Sequence, residues 1–253
     1  MTERSVKLLG VETSSSVFSV ALCDGERILS SLKIEGQGRP SDFLTDLIEK
    51  AVSSAALSLE KLDGFLISIG PGSFTGLRVG VTTVKTLAWA LKKKILPVSS
   101  LEVITQNFVG SPDPVALFLD ARKGKVYTAL FSSDGAGSMK RSSEDQTVLP
   151  AEALKNLPAK VVLAGDGLKR YGELLSSFPR KRESDPRWSL PSTPIEGEDD
   201  ISTWELAPEA QWIPSAESLC RIAAGRWPSG VLDDPHRLVP QYLYSKESDI
   251  TGW

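Results

Sequence analysis

Histidine is all but missing from this chain: His236 is the one copy in 253 residues. A zinc or iron centre draws several His, Cys or carboxylate ligands from close spacing, and a hydrolytic triad needs a base beside its nucleophile. A lone His236 supports neither chemistry, and it follows Asp233-Asp234-Pro235, which reads as an exposed turn. The nucleophile-elbow spacing GxSxG is missing around Ser73 and elsewhere. Cysteine is scarce too. Cys23 and Cys220 show neither CxxC spacing nor disulfide density, so both are expected to be reduced core residues. No run approaches the roughly 18 apolar residues of a membrane span. The opening MTERSVKLLG has no long apolar stretch before a small-residue cleavage site, so a cytoplasmic location is expected. Excess positive charge is absent as well. At a net charge of -3 the chain lacks the basic face of a protein that neutralises many phosphates by itself, so nucleic acid is expected to be held mainly by a partner. The short runs Lys92-Lys93-Lys94 and Arg180-Lys181-Arg182 read as solvated helix ends.

What is present is an ordinary globular composition, 41% hydrophobic and 24% charged, so the chain is expected to fold. Apolar runs at 6–11 and 17–23 flank the hydroxyl-rich Glu12-Thr13-Ser14-Ser15-Ser16 and read as strand, tight turn, strand. Asp24-Gly25 supplies a two-residue hairpin turn and 27–34 returns as a third strand, giving an antiparallel meander. Ser41 caps a helix to about Leu57, with Phe43, Leu44, Leu47, Ile48, Ala51, Val52 and Ala55 at helical spacing. Residues 64–69 form a buried strand, followed by the turn GPGSFTG, a long helix to Leu91, a strand at 95–98, and a helix capped by Ser99 or Ser100. From Pro114 the order restarts: 115–119 is a strand ending in Asp120, Ala121-Arg122-Lys123-Gly124 turns, and 125–131 returns. Asp120 thus stands where Glu12 stood. Pro150 begins a helix, 161–164 is a strand, Gly165-Asp166-Gly167 turns into a helix over 168–177, and Pro214-Ser215 starts a last one. The echo between the halves divides the chain into lobes at 1–110 and 111–253. Residues 178–213, rich in proline and acidic residues, read as a long, partly mobile surface excursion.

Two loops invite a phosphate reading. In GPGSFTG, Gly70, Gly72 and Ser73 precede a helix, where glycines let backbone N–H groups approach an anion at the positive end of the dipole. The Gly-Lys-Ser/Thr ending of a P-loop is missing, and the spacing is GxGxxxG and not that of a dinucleotide fingerprint. A structural turn and an anion cradle both remain open, as they do for Thr13 and Ser14 in the first loop. Glu12 and Asp120 together form a weak candidate for a hydrated divalent ion; no metal or cofactor is assigned. The helix 76–91 is more informative. Leu77, Val81, Val84, Ala88 and Leu91 make one apolar stripe, while Val79, Leu87 and Ala90 populate a second side. Such a helix is buried on two sides, within its own lobe or against another chain, and Gly76 and Gly80 permit close helix approach.

The segments LGVETSSSVFSVAL, ISIGPGSFTGLRVGVTTVKTLAWAL, ILPVSSLEVI, LDARKGKVYTALF, AGDG and VPQYLY, in this order over most of the chain, resemble the TsaB (YeaZ) family. The resemblance implies an α/β ASKHA fold, the duplicated actin-like and ribonuclease H-like lobe of mixed sheet flanked by helices. It implies an accessory, non-catalytic role in making threonylcarbamoyladenosine beside the anticodon of tRNA. In that system TsaC makes threonylcarbamoyl-AMP, TsaD transfers the group to adenosine N6, and TsaE joins as an ATPase. A TsaD-like subunit is therefore the expected partner, reached through Phe43, Leu44, Leu47, Arg78, Val79 and Leu87, with tRNA held mainly through TsaD. Self-association of the isolated chain is a further option. Metal-binding histidines as in TsaD have no counterpart here, which argues against the older M22 peptidase assignment of the family. Two departures stand out: Ile69 replaces an Arg of many relatives, and Gly38-Arg39-Pro40 replaces a His before the first helix. The rival expectation is a stand-alone ASKHA-type small-molecule kinase using Thr13, Ser14 and the glycine turn, with Glu12 and Asp120 as its acids; a homodimeric scaffold is a third.

Overall fold

A computed structural model describes residues 6–35, 40–135, 137–172, 203–227 and 232–241. The Arg180-Lys181-Arg182 run, the excursion before residue 203, the helix expected after 172 and the tail beyond Gln241 lie outside these residues. The chain divides into two units, Met1–Asn107 with Ile213–Tyr242, and Phe108–Trp212 with Leu243–Trp253.

The first unit is built on a five-stranded sheet. Strands β1 (Lys7–Glu12), β2 (Val17–Asp24) and β3 (Arg27–Glu35) form the expected meander, and β4 (Gly64–Ser68) and β5 (Lys94–Val98) extend it in the order β3-β2-β1-β4-β5. β1 pairs antiparallel with β2 and parallel with β4, and β4 pairs parallel with β5. The hairpin loop is Gly25-Glu26, and of the expected pair only Gly25 takes positive φ, at 59°. The central strands are buried on both faces, the usual state of strands with parallel neighbours. Leu9, Val11, Val20, Leu22, Phe65 and Ile67 pack under helices α1 (Pro40–Ser54) and α2 (Phe74–Leu91). The alternate residues Leu8, Ala21, Cys23, Leu66, Leu96 and Val98 pack with Val103 of α3 (Ser100–Thr105) on the opposite face.

Phe108–Trp212 contains a second sheet of the same design. Strands β6 (Val115–Asp120) and β7 (Val126–Ser133) are antiparallel, and β7 also pairs with the short β8 (Met139–Arg141) and β9 (Gln146–Val148). β10 (Lys160–Ala164) joins β6 in parallel, and β11 (Thr203–Leu206) joins β10 in parallel. Helices α4 (Pro150–Lys155) and α5 (Gly167–Arg170) complete the described part. Antiparallel pairs on one side of the first strand and parallel pairs on the other repeat the first sheet, so the duplicated ASKHA architecture is present.

Three expectations change. Residues 203–212 are not surface excursion: β11 pairs with β10, and Trp204, Ala207 and Trp212 are buried. The last helix, α6 (Ala216–Arg226), was counted with the second lobe on sequence but lies in the first unit. Its Leu219, Cys220 and Ile222 share the core of Leu8 and Cys23, and Ala216 N–H donates to Ser19 Oγ at 2.9 Å. Finally, α1 ends at Ser54, three residues early, with Ala56 at φ 52° closing it. Both cysteines are free and buried in that shared core, and burial keeps the Cys220 thiol protonated.

Candidate functional site

β1 and β4 end side by side, and the loops leaving them meet. Ser73 caps α2, its Oγ accepting from Gly76 N–H at 3.2 Å, while Ser73 N–H donates to the Ser14 carbonyl at 2.7 Å. The glycines explain this closeness. A Cβ on Gly72 would lie 2.3 Å from Ser14 O, one on Gly76 2.0 Å from Thr13 O, and one on Gly80 2.1 Å from Thr13 Oγ1. Gly76 and Gly80 therefore admit the chain's own β1–β2 loop, where the sequence suggested another helix. Gly70 is covered as well: Gln241 N–H donates to Ile69 O at 2.7 Å, and the Gly70 carbonyl accepts from Ser100 N–H at 2.8 Å. Thr13, Ser14, Gly70, Gly72 and Ser73 are thus brought together around one packed junction.

Glu12 lies at the bottom of that junction, 0% exposed. Its Oε1 accepts from Ser14 N–H at 2.6 Å, whereas Oε2 has no partner, and neither have the buried hydroxyls of Thr13, Ser68 and Ser100. Burial raises the Glu12 pKa above its ordinary 4.5, partly offset by the hydroxyls of Ser14 and Ser68 and the amides of Ser14 and Thr13. A native-state pKa above the unfolded one means that the folded chain binds this proton more tightly. The resulting stability is complete below pH 4.5 and is lost as pH rises through the native value. Glu12→Gln should therefore remove a loss with a slope of at most about 1.4 kcal/mol per pH unit and melt no lower than wild type at pH 7. Calorimetry from pH 4 to 8 checks this, and identical profiles for the two proteins would contradict it.

Asp120, the counterpart of Glu12, ends β6 but stays closer to solvent, its side chain 11% exposed and paired with Arg122 and Arg170. His236 is exposed in a turn, as expected, with its N–H on Asp234 Oδ1 at 2.9 Å. Among the described residues no three His, Cys, Asp or Glu side chains form a metal-holding group.

On the helical side of the first sheet, α2 buries the first predicted stripe, Leu77, Val81, Val84 and Ala88. Val79 and Leu87 of the second stripe are half-buried, and Ala90 is exposed. Leu47 of α1 is also half-buried, Phe43 is exposed, and Arg78 is exposed with its guanidinium 3.9 Å from the Phe74 ring centroid. Leu44 differs from the other five expected contacts. At 1% exposure it belongs to the core under α1 and has no surface to offer. Between the helices runs a groove of about 680 Å³ with Ile48, Val52 and Leu87 in its lining and Thr45, Thr82, Thr83 and Thr86 around them. Sequence reasoning missed Phe74 and Trp89, which α2 leaves 53% and 61% exposed. The available signal was their position off the buried stripe. Ser68 was missed too, a hydroxyl closing the otherwise apolar GFLIS strand.

A family model described as TsaD, tRNA N6-adenosine threonylcarbamoyltransferase, matches residues 40–187. The tRNA threonylcarbamoyladenosine biosynthesis protein TsaB of Bacillus subtilis (strain 168) is 31% identical over 156 residues, 60% of this chain and 66% of that protein. The protein of the same description from Escherichia coli (strain K12) is 24% identical over 174 residues, 67% of this chain and 75% of its own length. The solved structure of YeaZ from Pseudomonas aeruginosa superposes with a TM-score of 0.74 at 25% identity, covering 94% of this chain and all of that one.

Proposed function

Because this chain belongs to the TsaD family, and within it to the TsaB (YeaZ) branch, we propose that it is the accessory subunit that binds and supports a TsaD-like catalytic subunit. The reaction served is threonylcarbamoyl transfer to adenosine N6 of tRNA, next to the anticodon. In this reading the chain is non-catalytic, a TsaE-like ATPase joins through the complex, and tRNA is held mainly by the TsaD-like partner.

The observation that carries the docking role is the outer face of α1 and α2. Phe43, Leu47, Val79 and Leu87 keep apolar surface after the core is filled, and Phe74, Arg78 and Trp89 continue the exposed side of α2. An aromatic, aliphatic and arginine face with few acids has the composition of an interface centre. The family match includes both helices, so two relatives can meet through equivalent helix pairs about a pseudo-two-fold axis, as in an isologous contact. The same geometry makes a homodimer the natural competitor when the chain is alone.

The stand-alone kinase reading is not favoured. Its acid would be Glu12, which is sealed under the loops and raised in pKa, while the glycine turn is occupied by Thr13 and Ser14. Co-purification tests the docking role. A tagged TsaD-like subunit from the same genome should retain this chain at micromolar concentrations or below; no retention, with both proteins folded, would reject it.

A further inference from the structure

The two copies of the duplicated strand-turn-strand handle their acids in opposite ways. In the first, Glu12 is buried beneath glycine-lined loops. In the second, Asp120 organises cations. The turn after β6 places Arg122, Lys123 and Gly124 at φ 62°, 49° and 79°, three successive left-handed residues of which two carry side chains. L residues enter that region at an energetic cost, and such strain gathers at functional turns.

Asp120 holds the turn in place. Its Oδ1 accepts from Arg122 N–H at 2.8 Å, and its own N–H donates to Asp166 Oδ1 at 3.0 Å. Oδ2 lies 3.3 Å from Arg122 Nη1 and 3.5 Å from Arg170 Nη1, so two guanidiniums converge on one carboxylate oxygen. Arg170 reaches it because α5 begins tightly against β6: a Cβ on Gly165 would lie 2.2 Å from Phe118 O, and one on Gly167 2.9 Å from the same atom. The arginine side chains remain 74% and 54% exposed. Exposed ion pairs return little stability, so the pairing does not by itself explain the strained turn. Each guanidinium has five N–H donors in a planar fork, the geometry that matches phosphate oxygens, and Asp120 engages one nitrogen of each. Lys123, exposed between them in sequence, adds positive charge, whereas Lys169 is paired with Glu209.

We propose that Arg122 and Arg170, positioned by Asp120, form a phosphate-ester site in the second unit. The shared chemistry is a phosphate oxygen pair, supplied by a polynucleotide backbone or by a free nucleotide. Titration of the full chain with a fluorescent RNA hairpin and, separately, with a fluorescent ATP analogue tests it. Wild type should bind at least one probe, and the one bound identifies the source. Arg122→Gln with Arg170→Gln should weaken that binding about tenfold or more, while Lys50→Gln on α1 should change it by less than about twofold. Asp120→Asn is the discriminating variant. Bulk electrostatics predicts tighter anion binding when an acid is lost, whereas the positioning role predicts weaker binding, with thermal melting as the check on folding. No binding of either probe at millimolar concentration, an unaffected double variant, or tighter binding by Asp120→Asn would overturn the proposal. These residues belong to the other unit, so such failure would leave the α1/α2 docking role standing.

Discussion

Gly76→Ala is expected to destabilise the protein by at least about 3 kcal/mol, near the upper range of single substitutions. The sign runs against helix propensity, which favours Ala over Gly by about 1 kcal/mol inside a helix. The clash outweighs that gain because the new Cβ would sit 2.0 Å from Thr13 O, a main-chain atom in a fully buried loop, with Thr13 C at 3.2 Å. Relief requires α2 and the β1–β2 loop to part, which breaks the Ser73 N–H to Ser14 O bond and uncovers Glu12. Gly225→Ala in α6 is the control, since nothing lies within 4 Å of its Cβ. That substitution should be neutral or stabilise by up to about 1 kcal/mol. Chemical denaturation of both variants checks the pair, and equal stabilities would contradict the packed junction.

The second large effect concerns the outer face. Val79→Asp or Leu47→Asp should weaken binding to a TsaD-like subunit by about 100-fold or more, because a carboxylate would be desolvated at the centre of an apolar contact. Both positions also touch the core from outside, so some loss of stability is expected. Thr86→Arg avoids that complication: exposed at the rim of the α1/α2 groove, it obstructs docking while leaving the core untouched. Binding measured by titration, beside the melting temperature of each variant, separates the two effects. Wild-type affinity in Thr86→Arg and in either Asp variant would move the interface elsewhere.

How much of this was legible in the sequence follows from how local each contact is. The opening meander could be read because alternation and Asp24-Gly25 act over neighbouring residues, and α2 because Ser73 and its apolar stripe lie within one segment. Strand β11 could not. Its strand character comes from a parallel partner at Lys160–Ala164, and TWEL carries little pattern of its own. The helix α6 was visible as a helix, but not which sheet it covers, since Ala216 meets Ser19 across 197 positions. At the junction, the glycine spacing announced a close approach without naming the visitor; Thr13 and Ser14 occupy the space an anion would have needed. Leu44 shows the same limit. Helical periodicity puts Phe43, Leu44 and Leu47 near one face, and only packing decides that Leu44 points into the core while Phe43 stays outside.

Threonylcarbamoyl transfer reconstituted from TsaC-, TsaD- and TsaE-like proteins of the same genome, with and without this chain, tests the accessory role most directly. The modified adenosine should accumulate in tRNA only when the chain is present, and the chain with tRNA but without the TsaD-like subunit should produce none. Modification at the same rate without it, or transfer by this chain alone, would contradict the account.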